Sequence, residues 1–476
     1  RVLFRSFIHH FLPLTILGLE KMVYKAGWKL YFVTLSLIVI SNYYIGVMSC
    51  LFIILYYFTL EHESLAVMAV RGIKILFLSI CSVGVTGFIL VPTIMSLGDG
   101  GYGISEYQGI HFYTNLLYFV KQSMWGRKPV LVGSNSDARW ECNLYIGVFL
   151  TLITVVYLLD SNIRLKTRLK KLMVLLILIL SFDISSLNYV FHMLHYTEGI
   201  PNRHTVFVLF FMIVIAQESF ASISAAKRKK NMMIRVVVAA MLIIVLSIVT
   251  FIVYRDDSGM VASLCVMITM TLTYSVLIII NKLRNHSKKA VIIMSLLICL
   301  ELMSNMFLSY CNTANKAYDA GVSYEEILSV IDDLDSGLYN VTYNGQDTAM
   351  GLGLICGYNT LQGYSSVVRG DYTKTLNLLG TNITINGITD RGFNSFLNSV
   401  FAKKYIINPV GEIYKNAIRD DSTMIYKEIE ANKNVSLLES TILSFSLWLF
   451  INSSQSLTFP SEPIISSQGS PRWRTL

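Results

Sequence analysis

Charge is what this sequence lacks most. Asp, Glu, Lys and Arg make up 14% of its 476 residues, and 54% are hydrophobic; an ordinary soluble domain carries roughly 25% charged residues. That balance excludes a soluble globule and points to an integral membrane protein. A nucleic-acid partner is excluded as well. The formal net charge is +9, but the Lys and Arg residues sit in short loops between apolar runs, which is a topology signal. The seven cysteines are an odd number. Cys50, Cys81, Cys265 and Cys299 lie inside apolar runs as small hydrophobes, and Cys142, Cys311 and Cys356 stand in polar context without CxxC spacing, so neither a disulfide framework nor a cysteine metal site follows. There is no basic leader with a cleavage site. With Arg1 in first place, the chain reads as a piece of a longer protein.

What is present is a series of apolar runs punctuated by lysine and arginine. Leu3 to Leu19 is followed by Lys21, Lys25 and Lys29, which the positive-inside rule places in the cytoplasm. The apolar character from Leu30 to Leu60 lasts longer than the ~20 residues one crossing needs, and it is interrupted at Ser41, Asn42, Tyr43 and Tyr44. Parity decides how to read it. Two short passes with a turn at Asn42 put Arg164, Lys166, Arg168, Lys170 and Lys171 inside with the other basic clusters; one pass would put them outside. A helix from Gly72 to Val91 then ends near Pro92.

Residues 96–143 form the first external loop. Its start, GDGGYG, lacks the Lys-Ser/Thr of a phosphate-binding loop, and Ile110 to Lys121 has the helical spacing of a helix lying in the interface. Passes follow at Tyr145–Leu159, Leu172–Leu187, Thr205–Ala216, Val236–Tyr254, Val261–Ile280 and Ala290–Leu308, with a second external loop at 188–204. About ten passes over residues 1–310 leave every basic cluster on one side. After Tyr310 the composition changes. Residues 311–435 read as an extracytoplasmic soluble α+β domain, in which Ser323 to Glu326 opens a helix that stops near Ser336-Gly337 and Leu338 to Tyr343 alternates as a strand. Asp332, Asp333 and Asp335 lack the ligand spacing of a calcium loop. Ser436 to Ile451 is apolar enough for half a pass, and the serine-rich tail to 476 reads as disordered.

Polar residues between apolar runs are where chemistry is expected, and His192 to His204, HMLHYTEGIPNRH, is the densest such stretch. Arg203 is the foremost candidate, because a guanidinium grips phosphate through two parallel hydrogen bonds; interfacial snorkelling is the alternative. His192 and His195, three apart, fall on one face if helical, as proton carriers or metal ligands, without a third ligand at matching spacing. Glu141 and Glu198 stand near outer helix ends, where a carboxylate serves as general base or is simply solvated. His9 and His10 lie in the first apolar run. A transporter, a lipid flippase or a non-enzymatic envelope assembly protein is the competing class, and a transporter would show internal repeats and mid-helix ionisable pairs. No clear repeat or pair is apparent, and Asp183 lies near a helix end.

Several strings resemble the YfhO family of bacterial multipass membrane proteins, regarded as glycosyltransferases of the GT-C type. They are LGLEK followed by Ser41 to Tyr57, the E-x-N-x-Y-x-G string at Glu141, Asn143, Tyr145 and Gly147, and Leu187-Asn188-Tyr189 with His192, Pro201 and Arg203. In the outer domain they are Gly357 to Val368, Leu379-Gly380 and Phe401 to Ile407. Met193 replaces the family's Gly, Thr197 its first Pro, Asn202 its Tyr and His204 an apolar residue. The resemblance implies a GT-C-like helical bundle that transfers a sugar, on the outer face of the membrane, from a polyprenyl-phosphate donor to a cell-envelope acceptor such as lipoteichoic acid. Arg203, His192, His195, Glu198, Glu141 and Asn143 would bind substrate. The catalytic carboxylate would lie in an N-terminal loop preceding Arg1, leaving this piece inactive alone. No cofactor is implied, and a divalent metal is left open.

Overall fold

The structure, a computed structural model, describes residues 2–25, 27–99, 106–127, 143–196, 202–225, 228–284, 287–314, 324–331, 339–344, 351–364, 370–379, 382–384, 387–389, 398, 400–409, 426–431 and 435–440. Two compact units divide the chain, Arg1–Tyr318 and Asp319–Leu476. The first is helical: α1 (Val2–Lys25), α2 (Lys29–Ser41), α3 (Tyr43–Thr59), α4 (Leu65–Val85), α5 (Gly87–Asp99), α6 (Leu116–Gln122), α7 (Val148–Leu159), α8 (Leu165–Asp183), α9 (Ser185–Phe191), α10 (Thr205–Ala225), α11 (Lys229–Val253), α12 (Met260–Leu283) and α13 (Lys288–Ala314). Among the described residues, five helical stretches are long and apolar enough to cross a membrane: Leu65–Val85, Thr205–Ala225, Lys229–Val253, Met260–Leu283 and Lys288–Leu308. Helices α2, α3 and α7 are apolar but shorter.

The interruption at Asn42 separates two helices. Asn42 is extended, and its side chain accepts from Ile45 N at 3.1 Å, capping α3. The chain folds back there: a Cβ on Gly46 would lie 3.2 Å from Val39 Cα, an approach that a continuous helix forbids for residues two turns apart. Near the other end of α3, Tyr56 donates to Glu20 of α1 at 2.6 Å. Helices α1 and α2 cross at Gly18, where a Cβ would meet Tyr31 N at 2.5 Å, so only glycine permits the contact. Phe52 stacks on Phe207 at 5.1 Å in a core shared by α1–α3, α8 and α10; a second core joins α7 with α10–α13. One expectation is corrected here. Pro92 does not end a helix but lies inside α5, and the interruption falls earlier, at Thr86.

The basic clusters meet at one end of this unit. Glu61, after α3, pairs with Arg164, before α8. Asp160, after α7, is fully buried and takes Arg235 of α11 and, at 2.5 Å, Ser222 of α10. Lys171 pairs with Glu218, Lys282 donates to Ser224 O at 2.7 Å and Lys229 to Leu283 O at 3.3 Å. These contacts tie α7, α8, α10, α11 and α12 together at that end. Cations bridging helix C-termini satisfy carbonyls that the helices leave open.

The second unit contains α14 (Tyr324–Ile331), β1 (Asn340–Tyr343), α15 (Leu352–Cys356), β2 (Gly363–Tyr364), α16 (Gly370–Leu378), β3 (Asn382–Thr384), β4 (Gly387–Thr389), β5 (Lys403–Pro409), β6 (Tyr426–Ala431) and β7 (Val435–Ser440). One sheet has the order β1-β5-β7-β6, with β1 parallel to β5 and the other pairs antiparallel; a small sheet has the order β2-β4-β3. Ile327 and Val330 of α14 cover Val341, Tyr343, Tyr405, Ile407 and Leu437. Residues 436–440, expected to begin an apolar half-pass, are instead part of strand β7 between β5 and β6, with Leu437 buried. The expected helix end at Ser336-Gly337, the three aspartates at 332–335 and the tail from 441 lie outside the described residues.

Candidate functional site

At the end of the first unit opposite the basic clusters, α8 stops at Asp183 because Ile184 turns extended, and α9 restarts at Ser185. The joint holds a non-helical strip, residues 106–115, extended where Phe112 pairs with the end of α8. Phe112 bridges Ile184, Tyr113 N donates to Asp183 O at 3.0 Å, and the Asp183 carboxylate accepts from Thr114 N at 2.7 Å. Ser185 N donates to His111 O at 3.0 Å, and His111 N to Ser185 Oγ at 2.9 Å. Tyr107 and Ser186 share a hydrogen bond of 2.7 Å. This corrects the expected helix from Ile110 to Lys121: only its second half is helical, as α6, capped by Asn115, whose side chain accepts from Tyr118 N at 3.0 Å. The residues before it are held extended by partners some seventy positions away in sequence.

Helix α9 closes with the hydrogen bonds of a left-handed cap. Leu194 N donates to Tyr189 O at 2.9 Å and Met193 N to Val190 O at 3.3 Å, with Met193 at φ 61° and Leu194 at φ 60°. His192 and His195 are thus past the end of the helix, and the shared helical face expected from their spacing is absent. The ring that His192 meets is that of His204, 5.4 Å away and near perpendicular; both residues are fully buried. His192 Nδ1 lies 2.7 Å from Asn188 O, which only accepts, so Nδ1 carries the proton. Ser181 Oγ donates to Leu178 O at 2.7 Å and therefore accepts from His204 Nε2 at 2.8 Å. His204 is enclosed by the rings of Phe182 and Phe191 at 4.5 and 4.8 Å. Burial pushes His192 down to about 4, against the Asn188 carbonyl and helped by the nearby Arg203 charge; burial drives His204 well below the usual histidine range. Both imidazoles are neutral at pH 7.

Asn188 ties the network together, donating to Ser181 O at 3.0 Å and Asn202 Oδ1 at 3.2 Å. Asn202 is buried at φ 57°, a conformation asparagine tolerates. It places Arg203 with the guanidinium carbon 5.0 Å over the Tyr44 ring, and Tyr44 lies 6.0 Å from His192. The break at Asn42 therefore serves the loop, since it delivers Tyr44 beneath Arg203. A cation over an aromatic face uses the flat side of the guanidinium, whereas phosphate is recognised by its in-plane donors.

The remaining expected residues are dispersed. His195 is half-buried, and Glu141 and Glu198 lie outside the described residues. Asn143 accepts from Tyr145 N at 3.1 Å and turns the chain so that Tyr145 donates to Glu301 of α13. Glu301 is 2% exposed and also accepts from Val148 N and Tyr274, each at 2.6 Å. Gly147, at φ 94°, lets the backbone pass beside this carboxylate. Asn143 is thus a structural turn on the way to a buried carboxylate in α13, apart from the Arg203 loop. Sequence reasoning missed Glu301, Tyr44, Ser181, Asn202 and His204. The Leu187-Asn188-Tyr189 string was a usable signal for Asn188; Glu301 gave none beyond being an acid in an apolar run. Among the described residues, no group of three or more His, Cys, Asp or Glu is arranged to hold a metal ion.

The family described as bacterial membrane protein YfhO matches residues 8–468 of the chain. No curated protein and no solved structure matches it.

Proposed function

Because the chain belongs to the bacterial YfhO family of membrane proteins, we propose that it is part of a glycosyltransferase that moves a sugar from a polyprenyl-phosphate donor to a cell-envelope acceptor such as lipoteichoic acid. In this reading the helices make ten passes: α1, α2, α3, the α4–α5 pair, α7, α8, α10, α11, α12 and α13. The basic end is cytoplasmic, the Arg203 end faces outward, and the second unit is an extracytoplasmic α+β domain. The observation that carries the reading is Arg203 held 5.0 Å over Tyr44 at the end opposite the basic clusters.

Sugar transfer leaves a phosphate whose negative charge grows as the glycosidic bond breaks, and a fixed guanidinium stabilises that charge most where water is excluded. The buried, neutral His192 and His204 hold the loop in place without adding charge of their own. Asn202, clamped by Asn188, sets the backbone immediately before Arg203. A transport reading would build on Glu301, an ionisable group inside a membrane helix. Three protein donors already occupy that carboxylate, which favours a structural role.

The test is transfer of labelled sugar from polyprenyl-phosphate hexose and N-acetylhexosamine donors to lipoteichoic acid, in membranes carrying the full-length protein. Arg203→Ala is expected to lower transfer about ten- to a hundredfold, the loss of one charge-assisted bond, and Arg203→Lys to fall between. Protein abundance is measured alongside. Wild-type transfer by Arg203→Ala at normal abundance would overturn the assignment of Arg203 to the donor phosphate.

A further inference from the structure

The strip at 106–115 has two sides. Toward α8 and α9 the strip is met by protein: Gly109 O accepts from Ser185 Oγ at 2.8 Å, Gln108 N donates to the Tyr196 hydroxyl at 3.0 Å, and His111, Tyr113 and Thr114 are bonded as described above. The other side is apolar and open. Ile110 is 72% exposed, Phe112 67%, and Leu116 at the start of α6 57%. Water would be a poor neighbour for these three side chains; Ile110 and Phe112 alternate with the half-buried His111 and Tyr113, and Leu116 follows at the start of α6.

Its depth follows from its partner. Phe112 bridges Ile184, at the end of the 19-residue helix α8, about 28 Å along the helix from Leu165 at ~1.5 Å per residue. The hydrocarbon of a bilayer is about 30 Å thick, and α8 starts among the basic residues of the opposite end. The strip is therefore level with the hydrocarbon of the far leaflet, at or inside its outer edge. Its azimuth follows too. Ile184 comes about three helical turns after Met173, and Met173, with Leu169 and Leu176, forms the exposed apolar face of α8, the face an integral membrane helix turns to lipid. The strip continues that face upward, and Val190 of α9 is exposed as well. On its inner side this non-helical backbone is met by protein, at residues 108, 109, 111, 113 and 114, as a place beside hydrocarbon requires.

We propose that residues 110–116 form a lipid-facing edge of the protein, with Ile110, Phe112 and Leu116 lodged among phospholipid acyl chains of the leaflet on the Arg203 side. The occupant is bilayer lipid, and the inference stands independently of the sugar transfer proposed above. It gives the strip a defined role, sealing the α8–α9 joint from the bilayer while the loop behind it stays polar.

The test places benzoylphenylalanine at position 112, and separately at 110, in the full-length protein reconstituted into phosphatidylglycerol–phosphatidylethanolamine vesicles. Position 173 is the lipid-facing control and position 162, in the exposed turn after α7, the aqueous one. Irradiation is expected to give acyl-chain adducts at 112 and 110 in yields within about threefold of 173, and none at 162. Lipid adducts at 173 with none at 110 or 112 would overturn the proposal. Cross-links from 112 to a second copy of the chain would overturn it too, by naming a protein neighbour in place of lipid.

Discussion

Met193 holds φ 61° at the position that closes α9, where the left-handed conformation favours glycine and where the family strings read Gly. A left-handed residue with a Cβ costs roughly 1–2 kcal/mol, and Leu194 repeats the conformation at φ 60°. Met193→Gly is therefore expected to hold or raise the stability of the loop by about 1 kcal/mol, after the entropy glycine adds to the unfolded chain. Met193→Val, β-branched and averse to positive φ, should lower it. Thermal unfolding in detergent, ranked Gly at or above Met and Met above Val, is the measurement; the reverse order would mean that the left-handed cap is not how α9 ends. The same loop shows what one residue's neighbours hide from sequence. His192 was legible as a candidate, but its environment was not, because His204, bonded to Ser181, is brought to it by helix ends rather than by spacing. Arg203 was legible from its chemistry, and its aromatic support at Tyr44 came from a break read only as a topological necessity.

Gln362 shows how one side chain completes an element. Strand β1 is at the edge of its sheet, and Gln362 covers that edge, accepting from Tyr343 N at 2.9 Å and donating to Tyr343 O at 2.9 Å, while Val341 N donates to Asn359 O at 2.7 Å. The Gly357 to Val368 string thus includes a mimic of an absent strand, which blunts an edge that would otherwise recruit another chain. Gln362→Ala leaves two polar groups of the buried Tyr343 backbone unmet, an expected loss of about 1–3 kcal/mol. Hydrogen exchange at residues 340–344 in the whole protein should accelerate accordingly; unchanged protection would show that the edge is covered by something else. At this scale the long apolar helices at Leu65–Val85, Thr205–Ala225, Lys229–Val253, Met260–Leu283 and Lys288–Leu308 were legible as helices, but their ends were not, as the break at Thr86 inside the run from Gly72 to Val91 shows. The strip at 106–115 was not, since its apolar spacing fits helix and its extended form is imposed by Asp183 and Ser185. Strand β7 was misread for a related reason: a short apolar run cannot by itself be told from a helix segment, and its strand character comes from pairing with β5 and β6.

For the molecule as a whole, the orientation proposed above rests on the basic end. Contacts from Glu61 to Arg164, Asp160 to Arg235 and Lys282 to Ser224 gather loops from across the chain at one end, where positive-inside charge would hold them in the cytoplasm. At the opposite end Lys121 pairs with Asp257 at 2.8 Å, between the rings of Tyr118 and Tyr254, and Trp125 donates to Ser304 of α13 at 3.1 Å. Helix α13 thus starts at the basic end and reaches the other, and the reading proposed above makes the second unit extracytoplasmic. Single cysteines at 162, 228, 107 and 427, in a background without the seven native cysteines, test this with an impermeant thiol reagent on intact cells. Positions 107 and 427 are expected to react at least tenfold faster than 162 and 228, which should react only after the membrane is opened. Reaction at 228 with protection at 107 would invert the orientation. Reaction at 107 with protection at 427 would break the parity instead, and would require a further crossing between α13 and β6 that the ten-pass arrangement does not contain.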